Sequence, residues 1–343
     1  MRVGVLTGGG DCPGLNAVIR AVSRRVLDRG DTVVGVLHGW RGLLEGQTVE
    51  LGERDISGIL PRGGTILRTS RTNPLASPET AERVLAGLSQ LDALVVIGGE
   101  DTLGVAARLH AEHGCHIVGV PKTIDNDISG TDVTFGFDTA VTIATEAIDR
   151  LHSTAESHDR VMVCEVMGRH TGWIALTAGM AGGADMILIP ELPLTVERCC
   201  EVIRRRHGRG KDFSIVVVSE GWELRFESGD ARMVASVETD AFGHRRLGGI
   251  GDTLAREIEA RTGFETRVTT LGHVQRGGTP TARDRVLATR FGLKAAELVY
   301  AGRWGEMAAQ RGSEVTSVPI SEAVESLKTV PPELFEEASR FFG

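Results

Sequence analysis

Cysteine is scarce and unpatterned: five residues in 343, at Cys12, Cys115, Cys164, Cys199 and Cys200. The number is odd, two are adjacent, and no CxxC occurs. That excludes a disulfide framework and the usual spacing of a zinc site. No apolar run approaches the ~20 residues that cross a bilayer. The amino terminus carries one arginine and then "VGVLTGGG", not the long apolar core of a signal peptide. A soluble cytoplasmic protein without a membrane partner is expected. Basic excess is missing too, since the formal net charge is −8 at pH 7. A general nucleic-acid binder is excluded, because its affinity rests on Lys and Arg neutralising phosphates. Any anionic substrate must meet a local basic pocket on an acidic surface. Internal repeats, low-complexity tracts and Pro/Ser-rich linkers are absent as well.

What is present is an ordinary globular balance, 41% hydrophobic and 24% charged, in a chain long enough for about two domains. Short runs such as "VGVL", "TVVGVL", "ALVVIG", "HIVGV", "VMVCEV", "MILI" and "SIVVVS" read as strands. They are continuously apolar rather than alternating, which predicts strands covered on both faces. Between them, Leu15, Val18, Ile19, Val22, Val26 and Leu27 recur at helical spacing, as do "ETAERVLAGL" and "DTAVTIATEAIDRL". Strand–helix alternation predicts an α/β fold with a parallel sheet and right-handed crossovers. Residues 222–249 are polar and strand-poor and read as a surface excursion.

The polar clusters share an address. "GGGDCPG", "GGEDT", "PKTIDND", "MGRHTG" and "EGW" each follow one of these strands. Ligands of open α/β sheets bind outside the carboxyl ends of the strands. "TGGGDCPGLNAVIR" is either a phosphate cradle ahead of a helix or a plain glycine turn. It matches neither GxGxxG nor GxxxxGK[ST]. In "PKTIDNDISGTD", Asp125 and Asp127 stand two apart, so an extended segment would point both carboxylates to one side. One acid can take a proton from a hydroxyl while another holds magnesium or a basic partner, and Thr123 can bond a phosphate or orient Asp125. An Asx-rich turn is the bland alternative. "EVMGRHTGW" puts Arg169 at a glycine bend, and "TRVTTLGHVQRGG" supplies Arg267, His273 and Arg276. Guanidinium groups grip phosphate bidentately and an imidazole can donate to it. A metal acid, a general base, glycine loops and several arginines are what phosphoryl transfer needs.

On these motifs the chain resembles the bacterial-type 6-phosphofructokinases. "GGDCPGLNA", "GGEDT", "PKTIDNDI", "EAIDRL", "EVMGRHTG", "GGAD…IPE" and "ETR…LGHVQRGG" occur in the family's order from Val3 to about Leu298. The resemblance implies two three-layer, parallel-sheet, Rossmann-like domains with the active site in the cleft between them. It assigns residues 1–137 plus 274–325 to the phosphoryl donor and magnesium. Residues 138–273 plus 326–343 fall to fructose 6-phosphate. Gly10 matches a donor-phosphate contact, and Asp125 the base for the sugar 1-hydroxyl, flanked by Thr123 and Asp127. Arg71 matches an arginine near the transferring group. Met167, Gly168, Arg169, Glu220, His273 and Arg276 match fructose 6-phosphate contacts. Arg160 and Arg267 match arginines lent by a neighbouring subunit, so a homo-oligomer, dimer or tetramer, is expected. Glu100 stands where the family has its Mg2+ acid, usually Asp. Arg20, Arg24, Glu191 and Lys211 only partly match the family's effector positions, and nucleotide regulation is not expected.

"VVIGGEDTLG" separates two donors. By the resemblance, ATP-using members carry glycine at the positions of Asp101 and Lys122, and pyrophosphate-using members resemble this chain at both. A carboxylate in place of glycine occupies the volume of a nucleotide α-phosphate and repels it; like charges ~4 Å apart at an effective dielectric of ~20 cost several kcal/mol. Lys122 supplies a cation for the leaving phosphate. The expected enzyme is a magnesium-dependent, reversible pyrophosphate–fructose 6-phosphate 1-phosphotransferase, with an ATP-dependent 6-phosphofructokinase as the alternative. A non-catalytic sugar-phosphate sensor conflicts with Asp125. An NAD kinase-like enzyme conflicts with "MGRHTG" and "LGHVQRGG".

Overall fold

In the computed structural model, the described residues are 1–343 without Pro193, Met233, Val234, Asp240, Ala241 and His244. In chain order the larger elements of the amino-terminal half are β1 (Arg2–Thr7), α1 (Leu15–Leu27), β2 (Thr32–Val36), α2 (Trp40–Glu45), β3 (Thr48–Glu50), α3 (Pro78–Leu88), β4 (Ala93–Gly98), α4 (Glu100–His113), β5 (Ile117–Thr123), β6 (Phe135–Gly136) and α5 (Phe137–Ser157). Then come β7 (Val161–Val166), α6 (Trp173–Ala181), β8 (Met186–Leu188), α7 (Val196–Gly208), β9 (Ser214–Ser219), β10 (Leu224–Arg225), β11 (Ala231–Arg232), β12 (Ala235–Thr239) and β13 (Arg245–Leu247). The remainder is α8 (Ile250–Thr262), β14 (Thr266–Thr270), α9 (Ala282–Tyr300), β15 (Glu306–Arg311), β16 (Glu314–Pro319), α10 (Ile320–Glu325) and α11 (Pro332–Ser339). No helix among the described residues is long and apolar enough to cross a membrane.

Two compact units divide the chain. The first holds residues 1–139 and 276–327, with Phe242 and Gly243. Its sheet runs β16-β15-β5-β4-β1-β2-β3, with β6 beside β5. The central pairs are parallel, as the apolar runs predict, and β4 is buried along its whole length. Leu94 and Val96 join Leu6, Leu88, Leu103 and Leu109 in a core under α3 and α4. Val95 and Ile97 point the opposite way by strand alternation, toward the side where α9 packs on the sheet. Each such buried aliphatic contributes roughly 1.5–3 kcal/mol, so a charge at Val95 would break this layer. Both edges depart from the expected parallel sheet. β3 runs antiparallel to β2, and β15 and β16 form a hairpin around Gly312, at φ 57°. Two residues suffice for that hairpin, whereas a parallel return needs a crossover.

The second unit holds residues 140–239, 244–275 and 328–343. Its four strands, in the order β14-β7-β9-β8, are all parallel. Val161, Val163, Met186, Leu188, Val216 and Val218 face α7 and α8. Ile187 alternates to the other face and meets Gly179 of α6. The stretch 222–249 is not strand-poor as read from its polarity. It forms the pairs β10–β11 and β12–β13, and Trp222 and Leu224 are buried in the core. Within it, residues 233, 234, 240, 241 and 244 lie outside the described residues.

Candidate active site

In the first unit, side chains from several distant segments meet the turn after β1. Gly9 takes φ 79°, which only glycine adopts without strain. The turn is held from several sides: Gly8 N–H donates to Ile97 O (3.0 Å) and Gly9 N–H to Ser70 O (3.2 Å). Three successive carbonyls then each accept a side-chain bond. Thr69 Oγ1 donates to Gly9 O (2.6 Å), the Lys122 ammonium to Gly10 O, and Arg276 Nη1 to Asp11 O (3.3 Å). Thr69, Ser70 and Thr102, which packs under Gly8 and Gly98, did not stand out in the sequence. The tie through Thr69 and Ser70 brings the exposed Arg71 segment beside the turn. Asn16, inside the "GGDCPGLNA" motif, plays a structural part. Its amide accepts from Ile66 N–H (2.9 Å) and donates to Arg62 O (3.0 Å).

Lys122, on β5, is 3% exposed. Burial lowers its pKa, the Arg276 guanidinium adds to the depression, and Asp125 and Asp11 oppose it. The Cys12 thiol is another neighbour, but burial pushes its own pKa far above the usual thiol value. Cys12 is therefore neutral and supplies no counter-charge. Asp125 and Asp11 supply negative charge near the cation, and the Gly10 carbonyl accepts its bond.

The two acids of "TIDND" owe their places to a turn, not to strand alternation. β5 ends at Thr123, and Asn126 sits at φ 54°, so the extended geometry considered for Asp125 and Asp127 does not occur. Thr123 Oγ1 accepts from Asp125 N–H (3.0 Å), and Asn126 Oδ1 accepts from Thr134 N–H (3.1 Å). Asp125 and Asp127 are both buried. Glu100 and Asp101 are the first two residues of α4, half-buried, with Gly99 as the N-cap. That position favours negative charge through the helix dipole. Among the described residues no three His, Cys, Asp or Glu side chains gather as a metal cluster. Magnesium ordinarily takes one or two carboxylates with substrate phosphates and water, so a single hard oxygen ligand such as the Glu100 carboxylate fits it without a protein-built cage.

In the second unit, Met167, Gly168, Arg169 and Glu220, expected to contact the sugar, follow the carboxyl ends of β7 and β9. Gly168 takes φ 147°, and a Cβ there would lie 2.5 Å from Thr171 O. Arg169 follows at φ 52°, an uncommon conformation for a non-glycine residue. Its N–H donates to Glu220 Oε1 (3.2 Å), and a Cβ at Gly221 would lie 1.8 Å from Arg169 O. Met167, Gly168, Arg169 and Glu220 are thus one cluster. His273 is exposed in the 3-10 turn Gly272–Arg276 after β14. The N–H of Leu271 donates to Glu165 O (3.0 Å), which draws the end of β14 to the same edge. Arg160 and Arg267 are elsewhere, at the amino ends of β7 and β14. Arg160 bonds Glu265 at 2.9 Å and Arg267 pairs with the same carboxylate. Arg160 beside it holds the Glu265 carboxyl below its usual range. At ~3.3 Å per strand residue, Arg160 is seven residues, roughly 20 Å, from Met167, and Arg267, paired with Met162, is five residues, roughly 16 Å, from it.

The phosphofructokinase family profile matches residues 2–299. The chain belongs to the phosphofructokinase family. It is 59% identical to the pyrophosphate–fructose 6-phosphate 1-phosphotransferase of Streptomyces coelicolor, over the full length of both. It is also 54% identical to ATP-dependent 6-phosphofructokinase 3 of the same organism, covering 98% of this chain and 99% of the relative. Among solved structures it is similar to a pyrophosphate-dependent phosphofructokinase from Nitrosospira multiformis. The TM-score there is 0.83 at 20% identity, over 100% of this chain and 92% of that one. That likeness bears on the fold, two Rossmann-like domains.

Proposed function

We propose that this phosphofructokinase moves a phosphoryl group from pyrophosphate to O1 of fructose 6-phosphate, reversibly. The observation that carries the donor assignment is the buried ammonium of Lys122, bonded to Gly10 O, in a chain that also has Asp101 on the first turn of α4. Lys122 balances the leaving phosphate, and Asp101 keeps a nucleotide α-phosphate out. Asp125 accepts the proton of the sugar hydroxyl, with Thr123 and Asp127 in the same turn. Arg71 and Arg169 neutralise charge on the group in flight. Met167, Gly168, Glu220 and His273 hold the sugar phosphate. Arg160 and Arg267 serve a neighbouring subunit in a homo-oligomer. Glu100 would hold magnesium, which when bound neutralises phosphate charge. The relative named for pyrophosphate, at 59% identity, supports this reading; the relative named for ATP, at 54%, favours the second one, an ATP-dependent enzyme of the same family.

Steady-state turnover with magnesium pyrophosphate and with magnesium ATP, on one purified sample, tests the donor. Pyrophosphate should support turnover and ATP should not. In Asp101→Gly/Lys122→Gly, pyrophosphate turnover should fall and ATP should gain activity. A donor preference unchanged in that double variant would refute the repulsion mechanism.

A further inference from the structure

The turn after β5 carries Asp125 and Asp127, and the neutral residue between them sets its shape. Ile124 and Ile128 are buried at 0% and 1% and anchor its two ends. Ile128 shares the core of the first unit with Leu103 and Ile320. Between these anchors the chain turns at Asn126, at φ 54° and 3% exposed. Left-handed backbone is costly for most side chains and tolerated by asparagine. An aspartate would tolerate it too, but would set a third carboxylate between Asp125 and Asp127.

The conformation is locked from one fixed point. Thr134 is fully buried and precedes β6, whose Phe135 and Gly136 pair with Lys122 and Thr123 of β5. Its N–H donates to Asn126 Oδ1 at 3.1 Å, and its hydroxyl donates to Thr123 O at 2.8 Å. Thr123 Oγ1 in turn accepts from Asp125 N–H at 3.0 Å. Residues 123 and 126 are therefore tied to the same strand end, and Asp125 is bracketed between the two ties.

We propose that Asn126 is a positioning residue: its left-handed backbone, locked by the bond to Thr134, sets the direction in which Asp125 meets the sugar hydroxyl. The inference rests on the reading of Asp125 as the base given above. A base acts only within hydrogen-bond reach of the proton it takes, and a displacement of ~1 Å can cost about 100-fold in rate. Alanine at 126 lacks the amide and disfavours positive φ, so the turn would relax and carry Asp125 with it. Glycine keeps the turn accessible and loses only the lock.

The test separates kcat from KM in the full-length enzyme, with whichever phosphoryl donor supports turnover. Asn126→Ala should lower kcat about 10- to 100-fold, while the KM for the donor and for fructose 6-phosphate each change less than about 3-fold. Asn126→Gly should lose less, about 3- to 10-fold, because glycine restores the backbone that the turn requires. A kcat within about 2-fold of wild type in the alanine variant would overturn the proposal. So would a glycine variant as slow as the alanine variant, or a rise in either KM as large as the fall in kcat. If the alanine variant does not fold, the glycine variant decides: lost kcat with both KM values held supports the role, and a kcat within about 2-fold of wild type overturns it. Asp125→Asn isolates the underlying reading and should lower kcat at least about 100-fold. If it does not, the base reading fails and the proposal with it. If it does, and Asn126→Ala keeps its rate, only the proposal fails.

Discussion

Replacing Glu165 should destabilise the second unit far more than a typical single substitution. This carboxylate is on the penultimate residue of β7 and is 2% exposed. It does not reach solvent but caps α8, which packs on the same face of the sheet. Gly249 N–H donates to Oε1 at 3.0 Å and to Oε2 at 3.2 Å, and Gly251 N–H donates to Oε2 at 2.7 Å. Those N–H groups belong to the N-cap and first turn of α8, where the helix dipole favours an anion. Charge-assisted bonds of this kind contribute about 1.5–3 kcal/mol each, and a buried N–H left unmet costs about 1–3 kcal/mol. Allowing for water entry and relaxation, Glu165→Ala should cost roughly 3–5 kcal/mol, and should lower the melting temperature of this unit by roughly 10 °C. Glu165→Gln keeps the shape but offers one acceptor and turns an NH2 toward a backbone donor; roughly 2 kcal/mol is expected. Calorimetric melting gives both values, and hydrogen exchange at the first turn of α8 should accelerate in both variants. If the glutamine variant melts within 1 °C of wild type, the cap does not carry the energy assigned to it.

Other outcomes follow from buried or paired groups. Tyr300 is the sole tyrosine, so the pH-dependent rise in absorbance at 295 nm reports it alone, over a constant contribution from four tryptophans. Desolvation, together with its bond to Asp31 at 2.8 Å, pushes its pKa up to about 12 from 10.0. Between those values the native state keeps a proton that the unfolded chain has lost, so stability falls as pH rises through that window. A native tyrosinate midpoint at 10 would contradict the contact, and Asp31→Asn should move the midpoint down. Four of the five free cysteines are buried, and Cys115 is half-buried. Burial raises the pKa of each, most strongly at Cys12 and Cys199. Ellman's reagent should therefore titrate one thiol quickly in the native protein and five after unfolding, because the thiolate is the reactive form. Rapid reaction of three or more native thiols would count against the burial described.

Strand positions and the clustering of glycines and acids after strands were legible in the sequence because they are local. A strand covered on both faces is apolar along most of its length: β4 is so throughout, and β7 is so except at Glu165, whose carboxylate is met by backbone N–H groups. A turn that approaches an anion or takes positive φ needs glycine, and Gly9 shows why. The β15–β16 hairpin had a usable signal, Gly312 in a two-residue gap, outweighed by the parallel pattern around it. The extended reading of residues 121–132 failed because Asp and Asn spacing is the same in a strand and in a turn. Only the left-handed Asn126, held by Thr134, decided it.

By itself the sequence determined the α/β class and the residue types available for phosphoryl transfer, since apolar periodicity and side-chain chemistry are properties of short segments. The tertiary structure alone decided the sheet order β16-β15-β5-β4-β1-β2-β3, the burial of Lys122 against Gly10, the pairing of both Arg160 and Arg267 with Glu265, and the crossing of Arg276 over a glycine 266 positions earlier. These depend on which distant segments pack together, and packing is a sum over the whole core that no local pattern encodes.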